Sequence, residues 1–119
     1  MSFREHLQTV CDSVEGALAC SLMAVDGIEV ETHLTGEAPV DLKSLIVEYS
    51  GVFRAAREAA EAQAAGSVDE LSLHTGQVVT VARLVTPDYF MVVALRPEGN
   101  YGKARYLLRI TAPKVKSEL

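Results

Sequence analysis

The residues able to do chemistry are few and scattered along the chain. GNYGKA, Gly99–Ala104, sets two glycines and a lysine roughly as a phosphate-binding loop would. It lacks both the four-residue gap between glycines and the Ser/Thr after the lysine that would hold magnesium. On the structural reading, Gly99 and Gly102 shape a strand-to-helix turn, and Lys103 and Arg105 lie on its solvated side. His6, His33 and His74 fall on separate predicted elements, with no i, i+4 pair and no cysteine nearby. They are expected at the surface rather than around a metal. Cys11 and Cys20 have no C-x-x-C spacing and read as small buried hydrophobes, not a disulfide. No G-x-S-x-G is present and nothing sets a nucleophile beside a base. Glu29 and Glu31 read as a solvated strand face before an acid/base pair. The expectation is a protein that is not an enzyme and needs no cofactor and no metal.

Composition sets the frame for those residues. With 119 residues, 49% of them apolar, the chain is expected to form one domain, 1–119. A net charge of -5 gives no reason to expect nucleic acid or an anionic membrane, and it disfavours acidic partners. The opening MSFREHLQTVCDSVEG is charged from residue 4 and has no apolar signal core, and the longest apolar run, Tyr89–Leu95, is too short to span a bilayer. A cytoplasmic protein is expected.

Helical spacing of Phe3, Leu7, Val10, Cys11 and Val14 predicts a first helix begun by Ser2 and ended by Gly16. ALACSLMAV (Ala17–Val25) then meets IEVETHL (Ile28–Leu34) across Asp26-Gly27, a tight hairpin turn. A long helix is predicted from Asp41 as cap to Gly66. Three strands follow, Val68–His74, Gln77–Val85 and Tyr89–Arg96, joined at Thr75-Gly76 and Thr86-Pro87-Asp88. A third helix is predicted from about Gly102, stopped near Pro113.

Pattern arranges the strands. The first, fourth and fifth are apolar on both alternating sets, as central strands covered on two faces should be. The second sets Ile28, Val30 and Leu34 against Glu29, Glu31 and His33, and the third sets Leu71 and Leu73 against Glu70, Ser72 and His74. These alternate and belong at the edges. The order that satisfies the hairpins is 2-1-5-4-3, an antiparallel sheet within a three-layer α/β/α fold. One long helix is expected on one face and two helices on the other.

On the long helix, Leu42, Leu45, Ile46, Tyr49, Phe53, Ala56 and Ala60 form a core stripe. Lys43, Ser50, Arg54, Arg57, Glu58 and Glu61 form the expected solvated face. Between them runs a seam of small residues, Ser44, Glu48, Gly51, Ala55, Ala59 and Ala62, with Val52 alongside. Small side chains admit a second helix backbone, and Gly51 is costly mid-helix unless closeness compensates. Alanine is also the best helix former, so the same stripe has a plain reading as helix propensity. With the third strand as an open edge, through Glu70, Ser72 and His74, the seam predicts a two-fold homodimer with a continuous sheet.

The element order, the opening GALACSLMAVDGIEVETH and the closing NYGKARYLLRITAPKV resemble the roadblock/dynein light chain family, in its bacterial Mgl branch. Within that branch the resemblance is closest to the MglC-like members, paralogues of the MglB-like ones. It covers essentially the whole chain and implies a non-catalytic homodimeric adaptor. The implied partners are an MglB-like roadblock protein, polarity proteins of response-regulator type and, indirectly, a Ras-like GTPase. Polar localisation through such partners is implied as well.

Two surfaces are candidates for partners. At the hairpin tip, Val25 and Ile28 flank Asp26 and would offer two apolar anchors around one carboxylate; equally, Val25 and Ile28 finish the core while Asp26 makes the turn. Along the paired helices, Arg54, Arg57, Glu58 and Glu61 would supply a polar rim, or are simply solvated. Two rival functions stand beside the adaptor: a GTPase-activating or GTPase-binding subunit like MglB, and a small-ligand sensor. The densely apolar central strands weigh against a ligand pocket.

Overall fold

The computed structural model describes residues 2–119. Helix α1 spans Phe3–Ser13, and Ser2 caps it: its hydroxyl accepts from the Glu5 amide at 3.2 Å while the Glu5 carboxylate accepts from the Ser2 amide at 3.3 Å. The Ser2 amide foremost, and the Ser2 hydroxyl donating to the same carboxylate at 3.0 Å, hold the Glu5 carboxyl below the usual carboxylate range. Strands β1 (Ala17–Ala24) and β2 (Glu29–Leu34) follow, then helix α2 (Leu42–Ala62), strands β3 (Glu70–His74), β4 (Val79–Thr86) and β5 (Tyr89–Leu95), and helix α3 (Tyr101–Lys116). The five strands form one antiparallel sheet ordered β2-β1-β5-β4-β3, as the strand patterns predict.

Each face of the sheet carries its own core. Under α1 and α3 lies a continuous cluster that includes Leu7, Val10, Cys20, Leu22, Val81, Met91, Val93 and Leu108. Under α2 the packing is divided. Leu18, Ala19, Leu42, Val78 and Ala94 form one cluster, and Met23, Ile46, Phe53, Phe90 and Val92 another. Phe53 and Phe90 stack with ring centroids 4.9 Å apart. The loops entering β1 and leaving β5 cross backbone to backbone, with Arg96 N donating to Gly16 O at 2.8 Å and Asn100 N to Glu15 O at 2.9 Å. A Cβ on Gly99 would come within 2.8 Å of Glu15 O, so the phosphate-loop look of GNYGKA has a packing explanation.

Several expectations need correction. Helix α2 ends four residues before Gly66. Ala64 takes the left-handed conformation (φ 53°), with Ala65 N bonded to Ala60 O and Ala64 N to Glu61 O, the pattern of a Schellman closure made without glycine. Pro113 does not stop α3, because the last turn is held down by buried Ala112 and Val115. His6 is not at the surface: it lies on the inner face of α1, with Nε2 3.2 Å from the Glu118 carboxylate. Ser50, expected in solvent, is buried beneath α2, and the face opposite the sheet is the small-residue seam instead.

Strand β2 departs furthest from its pattern. Ile28, Val30 and Leu34, expected together on one face, are 64%, 40% and 48% exposed. Leu22 pairs Glu31 but Met23 pairs Glu29, so Val30 is the extra residue of a bulge that reverses the alternation. Glu29 therefore meets Lys43 of α2 (3.6 Å), while Glu31 meets Arg4 of α1 (2.8 Å). Leu34 does face the α2 side, but α2 stops short of covering it. It lines an open concavity of about 260 Å³ with Val40 and Leu42.

Candidate partner-binding surfaces

The β1–β2 tip is built to be rigid. Gly27 takes φ +98°, Gly27 N bonds Ala24 O at 3.0 Å, and Asp26 Oδ1 accepts from Ile28 N at 3.2 Å. The tip is tied sideways to the β4–β5 hairpin by Val25 N donating to Asp88 O at 2.9 Å. It is tied down to α2 by Arg54, whose guanidinium donates to the Val25 carbonyl. Arg57, one turn on, donates to Pro87 O at 2.8 Å and so holds the other hairpin. Both arginines, expected at a solvated rim, thus serve as struts between helix and turns.

The three tip residues divide. Val25 is half-buried against the Phe53–Phe90 cluster, whereas Asp26 is exposed and Ile28 projects into solvent. Around Val25, the residues Arg54, Arg57, Glu58 and Glu61 edge a concavity of about 220 Å³. Glu58 and Glu61 are exposed.

The second surface is the outer face of α2. Ser44, Glu48, Val52, Ala55, Ala59 and Ala62 are exposed there, with Gly51 half-exposed among them. A Cβ on Gly51 would meet only the Arg54 guanidinium at 3.5 Å, an ordinary contact, so no packing within this chain requires glycine. Beside it, β3 pairs with β4 alone, leaving its other edge without a strand partner in the sheet. The Glu70, Ser72 and His74 side chains do not point along that edge. They face α3, where Glu70 meets Arg105 at 2.7 Å, Ser72 meets the Tyr101 hydroxyl at 2.8 Å and His74 packs edge-on to the Tyr101 ring. What the edge presents is backbone.

The chemistry-bearing side chains remain apart. Cys11 and Cys20 are free thiols in the core; burial pushes Cys11 up to about 12 and raises Cys20 well above its ordinary value. Among the described residues no three His, Cys, Asp or Glu side chains gather as metal ligands, and no helix is long and apolar enough to cross a membrane. The sequence reading missed that Ile28 and Val25 part company, and that Arg54 and Arg57 are internal struts. The Asp26-Gly27 dipeptide signals the turn, but nothing local signals the bulge after it.

No protein-family model and no curated protein matches the sequence. Among solved structures, MglC from Myxococcus xanthus is 52% identical, each chain covering 100% of the other, with a TM-score of 0.73. A Roadblock/LC7 domain from Streptomyces avermitilis superposes with a TM-score of 0.85 at 13% identity over 99% of this chain and 98% of that one. Gliding protein MglB from Thermus thermophilus gives 0.83 at 14% identity over 98% and 89%. The last two show the fold alone, but identity to MglC at 52% from end to end, on this sheet order and helix placement, shows that the chain belongs to the roadblock/dynein light chain family, in its Mgl branch.

Proposed function

We propose that this protein is a non-catalytic homodimeric adaptor of a Mgl-type polarity and motility system. It joins an MglB-like roadblock protein to a polarity protein of response-regulator type, and through them acts on a Ras-like GTPase at the cell poles. The full-length relation to MglC carries this reading. The braced tip supports it: Ile28, 64% exposed beside the Asp26 carboxylate, is an apolar anchor held in place before a partner arrives, which lowers the ordering cost of binding. Self-association through α2 and the β3 edge is supported by Gly51, which lacks a packing role inside the chain, and by the strand edge left open.

The rival reading, a GTPase-activating subunit, has less to stand on. Arg54 and Arg57 are the arginines nearest the tip surface, and each is already bonded to a backbone carbonyl. A catalytic role would need one of them to leave its carbonyl and stabilise transition-state charge.

The test pairs two measurements on the same GTPase system. Binding to the MglB-like protein should be lost on Ile28→Glu with the melting temperature unchanged, and GTP hydrolysis should stay within about twofold when the chain is added alone. A rise of tenfold or more, about 1.4 kcal/mol of barrier, would replace the adaptor with an activating subunit.

A further inference from the structure

On the face of the sheet away from α2, three arginines converge. Arg83 of β4 stands directly across from Glu70 of β3, both side chains on the α3 side, with Nη1 3.6 Å from Glu70 Oε1. Arg105 reaches down from α3 to the other oxygen of the same carboxylate at 2.7 Å. One turn further along α3, Arg109 lies over the Tyr106 ring, 5.7 Å from its centroid. With Gly102 in the first turn of α3, these side chains line an open concavity of about 180 Å³.

The charges do not balance. Two guanidinium groups share the Glu70 carboxylate, and among the described residues no second carboxylate lines the concavity for the third. This site is positive in a chain whose net charge is -5, so the whole-chain charge is a poor guide to it. Its shape favours an extended occupant over a small free ion. It is open, with an aromatic wall: Tyr106 is 51% exposed, and Ile110, 37% exposed, stands one turn beyond Tyr106 on α3. The rest of the molecule repels a long polyanion, which disfavours nucleic acid.

We infer that the Arg83–Arg105–Arg109 concavity is a docking site for an acidic peptide segment of a partner protein, whose carboxylates engage the guanidinium groups while a neighbouring side chain rests on Tyr106. The site is separate from the tip and the α2 face, and it does not rest on the adaptor reading. Guanidinium forks suit carboxylates because two parallel N–H donors match two oxygens. Glu70 holds Arg83 and Arg105 in position, so the donors are arranged before the ligand arrives.

The test titrates a labelled deca-glutamate peptide into the full chain at low and at high salt. Saturable binding is expected, weaker at high salt, because exposed charges are screened. Arg109→Glu should lower affinity by about tenfold or more, with Arg109→Gln intermediate. Arg4→Glu, an equal change in net charge at the far end of the sheet, should leave it within about twofold. Melting curves check that each variant is folded. Absence of binding, or equal loss in the Arg4 and Arg109 variants, overturns the site. Displacement by inorganic phosphate at the same concentration as glutamate side chains would make it a small-anion site and overturn the peptide. Tighter binding of a single-stranded oligonucleotide would overturn it as well.

Discussion

The two faces of the sheet are closed to different degrees. On one, α1 and α3 together cover a single continuous cluster, and Leu7, Leu108 and Val115 are wholly excluded from water. On the other, α2 alone spans a five-stranded sheet. Its core is split in two, Leu34 is left half-open at one end, and Val47 and Val52 are exposed on the helix itself. One helix about 10–12 Å across cannot cover strands spaced by nearly 5 Å over the whole sheet. The closed face holds the fold together, and the α2 face leaves its sheet-side core incompletely covered.

Core substitutions on the closed face should give the largest effects. Leu108→Ala is expected to destabilise the protein by about 2–5 kcal/mol, read from chemical denaturation. A cost under about 1 kcal/mol would mean that this face is no tighter than the other. Next comes Arg54→Ala, which releases the tip from α2. It should lose about 1–2 kcal/mol of stability and weaken partner binding through a mobile Ile28. Unchanged amide exchange at Val25–Ile28 would show that Arg54 is not the strut.

On the outer face of α2, Ala55→Arg with Ala59→Arg should change monomer stability by no more than about 0.5 kcal/mol while abolishing the dimer in light scattering. A dimer that survives both charges would move the self-association surface elsewhere. The smallest effect is at the helix end, where Ala64→Gly relieves a positive φ and should stabilise by about 0.5–1 kcal/mol. If the midpoint falls instead, the left-handed closure is absent in solution.

A pH prediction belongs to the closed face as well. The Glu5 carboxyl is held below its usual value by the Ser2 cap, so the capping contribution is present above the unfolded carboxylate range and fades as pH falls through the folded value. Ser2→Ala removes the hydroxyl donor but keeps the backbone one, so it should flatten the acid limb of the stability profile below about pH 4.5, the carboxylate's ordinary value, only in part. An unchanged limb in the variant would show that the Ser2 hydroxyl adds nothing there and leave the backbone amide as the whole cause.

Legibility followed the locality of each cause. The central strands were readable because a strand covered on two faces must be apolar on both alternating sets, and β1, β4 and β5 are. The capping residues Ser2 and Asp41 and the Asp26-Gly27 turn act over three or four residues and were readable too. The two faces of β2 were misread because its alternation assumes an unbroken ladder, and the bulge at Val30 is a property of the pair β1–β2. The end of α3 was misread because a local breaker, Pro113, was outweighed by the distant burial of Val115. His6 was misread for the same kind of reason, its burial being accommodated by Glu118 from the far end of the chain, whereas the Ser50 hydroxyl is satisfied inside its own helix by the Val47 carbonyl, so its polarity is no signal of exposure.

By itself, then, the sequence determined the element order, the sheet order and the presence of a small-residue face on α2, since propensity, periodicity and hairpin connection each act over short spans of chain. Tertiary structure alone decided which polar groups are free to meet a partner. Arg54, Arg57 and Glu70 read alike as surface charges, yet the first two are spent on backbone carbonyls and the third is shared between Arg83 and Arg105. The same folding set Arg83, Arg105 and Arg109 around one concavity in an acidic chain. A charge acts through the groups within a few ångströms of it, and only the fold chooses those.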